Sequence, residues 1–189
     1  GGAGVFDGYG LGEMLSGLAV IAMIGASAVA IFQTNVKRLL AYSSLAQIGY
    51  IMIGIAMASV LGMSAGIVHL FNHALIKAGL FMAMGCIFLR IGSVQIDDMK
   101  GLAKVMPVTM AAFVAGGFGL IGVPLTAGFI SKWYLLQAAI EKGWWLAIAA
   151  ILISSLLAII YIWRVVETAY FQDRDENAPT ISEAPWSML

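Results

Sequence analysis

Three ionisable side chains stand in register within one apolar stretch, His69-Leu70-Phe71-Asn72-His73-Ala74-Leu75-Ile76-Lys77. Spacing of i, i+4 and i+8 puts His69, His73 and Lys77 on one face of a helix, drifting by about 40° per step and spanning about 12 Å. A charge at the centre of a bilayer costs at least about 2.5–3.5 kcal/mol, so such groups face a bundle interior or a water-filled cavity. Histidine changes charge near neutral pH, and burial disfavours the ammonium form of a lysine. The row therefore has the makeup of a chain of proton donors and acceptors. A second lysine, Lys132, closes the stretch Gly119-Leu120-Ile121-Gly122-Val123-Pro124-Leu125-Thr126-Ala127-Gly128-Phe129-Ile130-Ser131-Lys132. Pro124 removes a backbone donor and clashes with the preceding turn, and Gly122 and Gly128 let the chain unwind. The pattern predicts a discontinuous helix, non-helical between Gly122 and Gly128, of a kind tolerated at membrane depth only where protein or water satisfies the backbone.

Plainer readings exist for each group. His73 could cap a buried hydrogen bond, Lys77 and Lys132 could snorkel to an interface, and Pro124 could be a simple kink. Three ionisable groups in one row, and a lysine beside a break, weigh against them. A His69–His73 metal site is possible in geometry, but no carboxylate or thiol lies nearby to complete it, and no metal is expected. Tyr42, Ser43, Ser44 and Gln47 offer hydroxyls and an amide for water wires or helix packing, and packing is the expectation.

The elements that carry these residues are long and apolar. Five segments run roughly from Leu11 to Phe32, Ser43 to Leu61, Ala65 to Leu89, Pro107 to Ile140 with an interruption, and Trp144 to Phe171. A spanning helix needs about 20 residues, whereas membrane strands need about 9–11 alternating ones. The expected fold is all-α, a polytopic membrane helical bundle of about five transmembrane segments, one of them discontinuous. Lys37, Arg38, Arg90, Lys100, Lys104, Arg164 and Arg174 fall on one side if the segments alternate, against Lys142 on the other. That bias puts the seven, and the C-terminal tail, in the cytoplasm. Trp144, Trp145 and Trp163 suit interfacial belts. Glu13 reads as interfacial, Arg164 and Glu167 as an intrahelical pair, and Asp97 and Asp98 as solvated loop charges.

Composition agrees. The 189 residues are 61% hydrophobic and 11% charged, with zero net charge and a mean hydropathy of +0.96. Soluble domains are about a quarter charged, so lipid must be part of the solvent and a soluble enzyme is excluded. Nothing suggests nucleic acid binding. The single cysteine, Cys86, cannot form a disulfide within the chain. There is no glycine-rich phosphate loop, no nucleophile beside a base and no quinone or haem signature, so no cofactor and no catalytic chemistry of its own is expected. Residues 1–171 read as a membrane domain, and 172–189 as a polar cytoplasmic loop leading to a truncated next segment. A start at Gly1-Gly2-Ala3-Gly4 and an end at Pro185-Trp186-Ser187-Met188-Leu189 suggest a fragment of a longer protein.

Three stretches resemble the antiporter-like, proton-conducting subunits shared by respiratory complex I, membrane-bound hydrogenases and Mrp-type cation/proton antiporters. They are Asn35-Val36-Lys37-Arg38-Leu39-Leu40-Ala41-Tyr42-Ser43-Ser44 with Gln47-Ile48-Gly49-Tyr50, then His69 to Lys77, then Gly122 to Lys132. The resemblance covers essentially Leu11 to Phe171. It implies the second of two inverted five-helix repeats in a larger bundle, and hence one half-channel. It implies that Lys77 is the central lysine, that Lys132 is the ionisable residue of the broken helix, and that His69 and His73 bring protons toward Lys77; from the cost of holding two buried cations, Lys77 is expected to relay protons between the His69/His73 side and Lys132. Phe71-Asn72-His73 and Phe129-Ile130-Ser131-Lys132-Trp133 lean toward the D-type subunit of Mrp antiporters. The alternatives are a proton-pumping subunit of a complex I or hydrogenase, driven by redox chemistry elsewhere, and a non-conducting assembly scaffold. The implied partners are other membrane subunits, the lipid bilayer and protons, with sodium as the alternative ion. The implied location is a bacterial inner (plasma) membrane.

Overall fold

The computed structural model describes residues 10–174 and 180–185. The expectations placed on Gly1–Gly4, on 175–179 and on 186–189 lie outside the described residues. Helices α1 (Leu11–Ile31), α2 (Val36–Ala56) and α3 (Val60–Ile91) are followed by a 3-10 turn (Asp97–Met99) and the one-turn α4 (Leu102–Val105). Then come α5 (Pro107–Ile121), α6 (Ala127–Lys142) and α7 (Trp145–Phe171). Four helices, α1, α2, α3 and α7, are long and apolar enough to cross a membrane, and α5 is a shorter apolar helix. The chain is a multi-pass membrane helical bundle.

Two boundaries differ from the hydropathy reading. Helix α2 begins at Val36, seven residues before Ser43, because Asn35 caps it by accepting from the Arg38 N–H at 3.1 Å. Lys37 and Arg38 occupy its exposed first turn, where a charge need not enter the apolar layer. Helix α3 begins at Val60 because Ser59 accepts from the Gly62 N–H at 3.0 Å. Further along, α2 and α3 nearly touch: a Cβ on Gly54 would lie 2.7 Å from the Gly62 carbonyl oxygen and 2.9 Å from the Gly66 Cα. Small residues at a crossing let membrane helices approach closely, and this one draws Gln47 toward His69.

The seven basic residues expected on one side gather at one end of the bundle. There the α1–α2 and α3–α4 connections pair through Val36 N–H to Val94 O and Ile96 N–H to Thr34 O, both 2.9 Å. Lys104 meets Asp173 at 2.9 Å on the exposed surface, and Arg174 packs against Gly101. Arg164 does not turn to Glu167. It donates to the carbonyls of Ile31 and of Gln33, the latter at 3.2 Å, and so caps α1, whose own last turn has no basic residue. Cysteines introduced as Lys37→Cys and Lys100→Cys in a full-length protein should therefore be labelled from the same side of the membrane. Labelling from opposite sides would refute the five-crossing arrangement.

A segment of the tail returns to this end. Glu183 accepts from the backbone N–H groups of Val108 (2.8 Å) and Thr109 (3.3 Å) and from the Thr109 hydroxyl, capping α5. Arg90, at the end of α3, donates to the Glu183 carbonyl. Partial burial alone would raise the Glu183 carboxyl, but the hydrogen bonds from Thr109 and from the Ala184, Val108 and Thr109 N–H groups outweigh it and hold it below its usual 4.5. A lowered carboxyl contributes stability above its ordinary pKa and loses it as pH falls through the folded value. Docking of 180–185 should thus persist at neutral pH and weaken in acid below the usual carboxylate range. Glu183→Gln should cost about 1 kcal/mol and speed hydrogen exchange at Val108 and Thr109. Unchanged exchange would rule the cap out as a contributor.

Buried side chains form two apolar clusters. One, toward the basic end, includes Ala30, Leu39, Leu40, Leu80, Met84 and Val165. The other, toward the opposite end, includes Ala19, Met23, Ile53, Met57, Leu135 and Ile151. Along the helices most of the buried polar residues fall between them: Ser27 on α1, Ser43 and Gln47 on α2, His69 and Lys77 on α3, Ser131 and Lys132 on α6, Ser154 on α7; Thr109 and Thr168 lie at the basic end.

A candidate proton-translocation site

The broken helix positions Lys132. Helix α5 stops at Ile121, and Gly122 takes φ 86°, a left-handed conformation that glycine adopts without strain. A Cβ there would also meet the Lys132 Cδ at 2.9 Å. Thr126 restarts the chain as the cap of α6, its hydroxyl accepting from the Phe129 N–H at 3.3 Å and donating to the Val123 carbonyl at 2.7 Å. The non-helical stretch is thus 122–126. Gly128, expected to permit unwinding, lies inside α6. It is needed for close approach, since a Cβ there would sit 1.8 Å from the Gly119 carbonyl oxygen. The two half-helices run past each other backbone to backbone. Asn72, between the two histidines, donates to the Ala127 carbonyl at 2.9 Å and ties α3 to the restart.

Lys132 turns back on α5. Its ammonium donates to the carbonyls of Leu120 (3.0 Å) and Ile121 (2.9 Å) and to the Ser155 hydroxyl (3.1 Å), 4.6 Å above the Tyr50 ring centroid. The last carbonyls of a helix carry the negative end of its dipole, so the broken helix makes a cation site without an acid. Ser155 in turn meets the Tyr50 hydroxyl at 3.1 Å, and Tyr50 donates to the Ile151 carbonyl at 3.1 Å. A cavity of about 130 Å³ opens beside Lys132 and Ser155.

His69 lies at this same level. Its Nε2 is 2.9 Å from the Gln47 Oε1 and its Nδ1 is 2.9 Å from the Ser131 hydroxyl, with the Tyr50 ring at 5.2 Å. Because Gln47 presents an acceptor, Nε2 carries the hydrogen and Nδ1 accepts from Ser131. A second proton on the ring would turn the Ser131 hydroxyl to the Gly128 carbonyl, 3.2 Å away. Lys77 sits at the other end of the α3 row. It donates to the Leu40 carbonyl at 2.6 Å and to the Ser43 hydroxyl, which itself donates to Leu40 at 2.9 Å. His73 lies between, half-buried, with an Nδ1 that has no hydrogen-bond partner among the described residues. The structure therefore gathers His69 and Lys132 around Tyr50 and sets Lys77 apart.

A family model for the transmembrane region of NADH:quinone oxidoreductase and Mrp antiporter subunits matches residues 9–158. The chain belongs to that family. Among curated relatives of this antiporter family, NADH-quinone oxidoreductase subunit N of Desulforudis audaxviator (strain MP104C) is 42% identical over 160 residues, covering 85% of this chain and 32% of that protein. The chain thus spans about a third of the length of such relatives. Among solved structures, a chain of the Mrp complex from Dietzia sp. DQ12-45-1b superposes with a TM-score of 0.84 at 28% identity, covering 91% of this chain and 32% of that one. A chain of the membrane-bound sulfane sulfur reductase, an archaeal respiratory membrane complex, gives 0.83 at 33% identity, covering 93% and 35%.

Ser43 and Gln47, expected to serve packing, contact Lys77 and His69 instead. Tyr50, Ser131 and Ser155 were not singled out by sequence reasoning as site residues. The available signal was register: Ser43, Gln47 and Tyr50 recur at i, i+4 and i+7, one face of α2.

Proposed function

We propose that this chain is one half-channel of a proton-translocating membrane subunit in a multisubunit respiratory complex of the NADH-quinone oxidoreductase type. The observation that carries the reading is that Lys77 and Lys132, 6% and 5% exposed, are held by neutral oxygens. A buried lysine with neutral partners can give up its proton without stranding a counter-charge, which an ion-paired lysine cannot. Lys132, Ser155 and Tyr50, then His69 with Ser131 and Gln47, then His73, then Lys77 form the order of stations. Protons are the cargo, with sodium as the alternative ion. The other membrane subunits of the complex are the partners, the basic end faces the cytoplasm, and a bacterial inner membrane is the location.

The Mrp D-type assignment suggested by Phe71-Asn72-His73 is the less supported branch. Identity is 42% to a subunit N, against 28% to the Mrp chain. A redox-driven complex should co-purify with iron–sulfur and quinone-binding subunits, and an Mrp antiporter with small antiporter subunits. The decisive measurement is proton movement by the full-length complex in sealed vesicles, with Lys77→Ala beside wild type and assembly followed in parallel. An assembled Lys77→Ala complex that pumps at the wild-type rate would overturn the half-channel reading in favour of the scaffold.

A further inference from the structure

Two hydrogen-bonded chains end facing one another across α2 and α7. From Lys132 the bonds run through Ser155 to the Tyr50 hydroxyl. From Lys77 they reach the Ser43 hydroxyl. Ser43 and Tyr50 are seven residues apart on α2, about 10 Å along its axis. Tyr161 of α7 lies in the interval. It is fully buried, and its hydroxyl has no hydrogen-bond partner among the described residues. Ser155 meets Tyr50 and Arg164 reaches Ile31 and Gln33 at the basic end, so Tyr161, six residues (about 9 Å) past Ser155, stands at the level of Ser43, about 10 Å from Tyr50 along α2. Buried hydroxyls in native proteins are paired, with protein or with ordered water, and a site flanked by two other hydroxyls offers water the several polar partners it needs.

We propose that Tyr161 carries protons between the two lysines along the α2–α7 side, its hydroxyl bridged by water to Ser43 and to Tyr50, as a route parallel to the histidine row of α3. The step is a balanced hop. A proton arriving on the Tyr161 oxygen from one side is matched by release of the hydroxyl's own proton to the other, so the phenol ends neutral and unchanged in bonding. In the same way Tyr50 turns its hydroxyl from the Ile151 carbonyl toward Tyr161 and takes the Ser155 proton behind it.

The proposal rests on the lysine half-channel, and the experiment separates the two. Proton flux is measured in vesicles for the full-length complex carrying Tyr161→Phe, His73→Ala, both together, or Lys77→Ala, with thermal stability and assembly recorded for each. Tyr161→Phe keeps the buried ring and its packing, so assembly should be retained. Its flux should fall about tenfold, less than the ~100-fold or more of a full proton-transfer group, because the histidine row still conducts. The double variant should fall further than the product of the two single losses, as parallel routes require. Wild-type flux in Tyr161→Phe with loss in Lys77→Ala would overturn the proposal and leave the lysines in place. Wild-type flux in both would overturn the half-channel as well. If Tyr161→Phe fails to assemble, Ser43→Ala removes the hydroxyl between Tyr161 and Lys77, and the same tenfold loss or its absence decides the matter.

Discussion

A full-length complex carrying Lys77→Ala should assemble normally and lose proton movement on the order of 100-fold or more, the scale of a positioned acid–base group. The assembly half of this expectation follows from what Lys77 leaves behind. Its two acceptors already serve each other, since the Ser43 hydroxyl donates to the Leu40 carbonyl at 2.9 Å, and Ser44 donates to the same carbonyl at 3.0 Å. No buried acceptor is orphaned, and no counter-ion is stranded. The transport half follows from position, because Lys77 closes both the histidine row and the Ser43 side. Lys77→Arg sharpens the test. It keeps the charge and the donors, but a guanidinium does not release its proton in the working range, so flux should fall as far as in Lys77→Ala. Flux retained in Lys77→Arg but lost in Lys77→Ala would mean that a fixed positive charge is what matters, and would remove Lys77 from the relay.

Gly128→Ala should be the most damaging glycine-to-alanine substitution among the described residues. A methyl placed 1.8 Å from the Gly119 carbonyl oxygen meets backbone, which cannot rotate away. Helix α6 would have to move off α5, and with it the Asn72–Ala127 bond and the two carbonyls that hold Lys132. Overpacking alone costs about 1–3 kcal/mol, and losing those buried polar contacts adds to it, so a total above ~4 kcal/mol is expected. The measurement is thermal unfolding of the purified complex, with Gly79→Ala as control, where an added Cβ meets nothing within 4 Å. Equal melting of the two variants would show that the half-helices are not in backbone contact.

The elements legible in the sequence were those whose cause is local. Long apolar runs announced the spanning helices, the i, i+4, i+8 row announced His69, His73 and Lys77, and Pro124 with its glycines announced an interruption near Lys132. What escaped was non-local. Whether Ser43, Gln47, Tyr50 or Ser155 packs or conducts depends on which helix lies opposite, and hydroxyls in membrane helices are common packing residues. Gly128 read as a hinge because its neighbour Gly119 comes from the other half-helix. Arg164 read as a partner of Glu167 because the α1 carbonyls it caps are 131 and 133 positions away. Glu183 carried no signal at all, since the helix N-terminus it serves precedes it by 74 residues or more. The family branch was equally illegible, because the short stretches that carry the resemblance separate the branches poorly, whereas identity over the whole chain favours subunit N.

The spread of the buried polar residues along the helices has an electrical consequence. Ser155, which holds Lys132, and Tyr161, which stands at the level of the Lys77 partner Ser43, are six residues apart on α7, about 9 Å along the helix. That is roughly a third of a hydrocarbon layer about 30 Å thick. A unit charge crossing the whole layer does work of about 2.3 kcal/mol per 100 mV, so transfer between the two lysines engages about 0.7 kcal/mol of it, a shift of about threefold in their relative occupancy. The remaining two thirds of the voltage falls across the apolar clusters at either end, around Leu39 and Met84 on one side and Ile53 and Met57 on the other. On the half-channel reading, a membrane potential would therefore act on this protein mainly as a bias on when charge enters or leaves the band, and only secondarily on which lysine holds it.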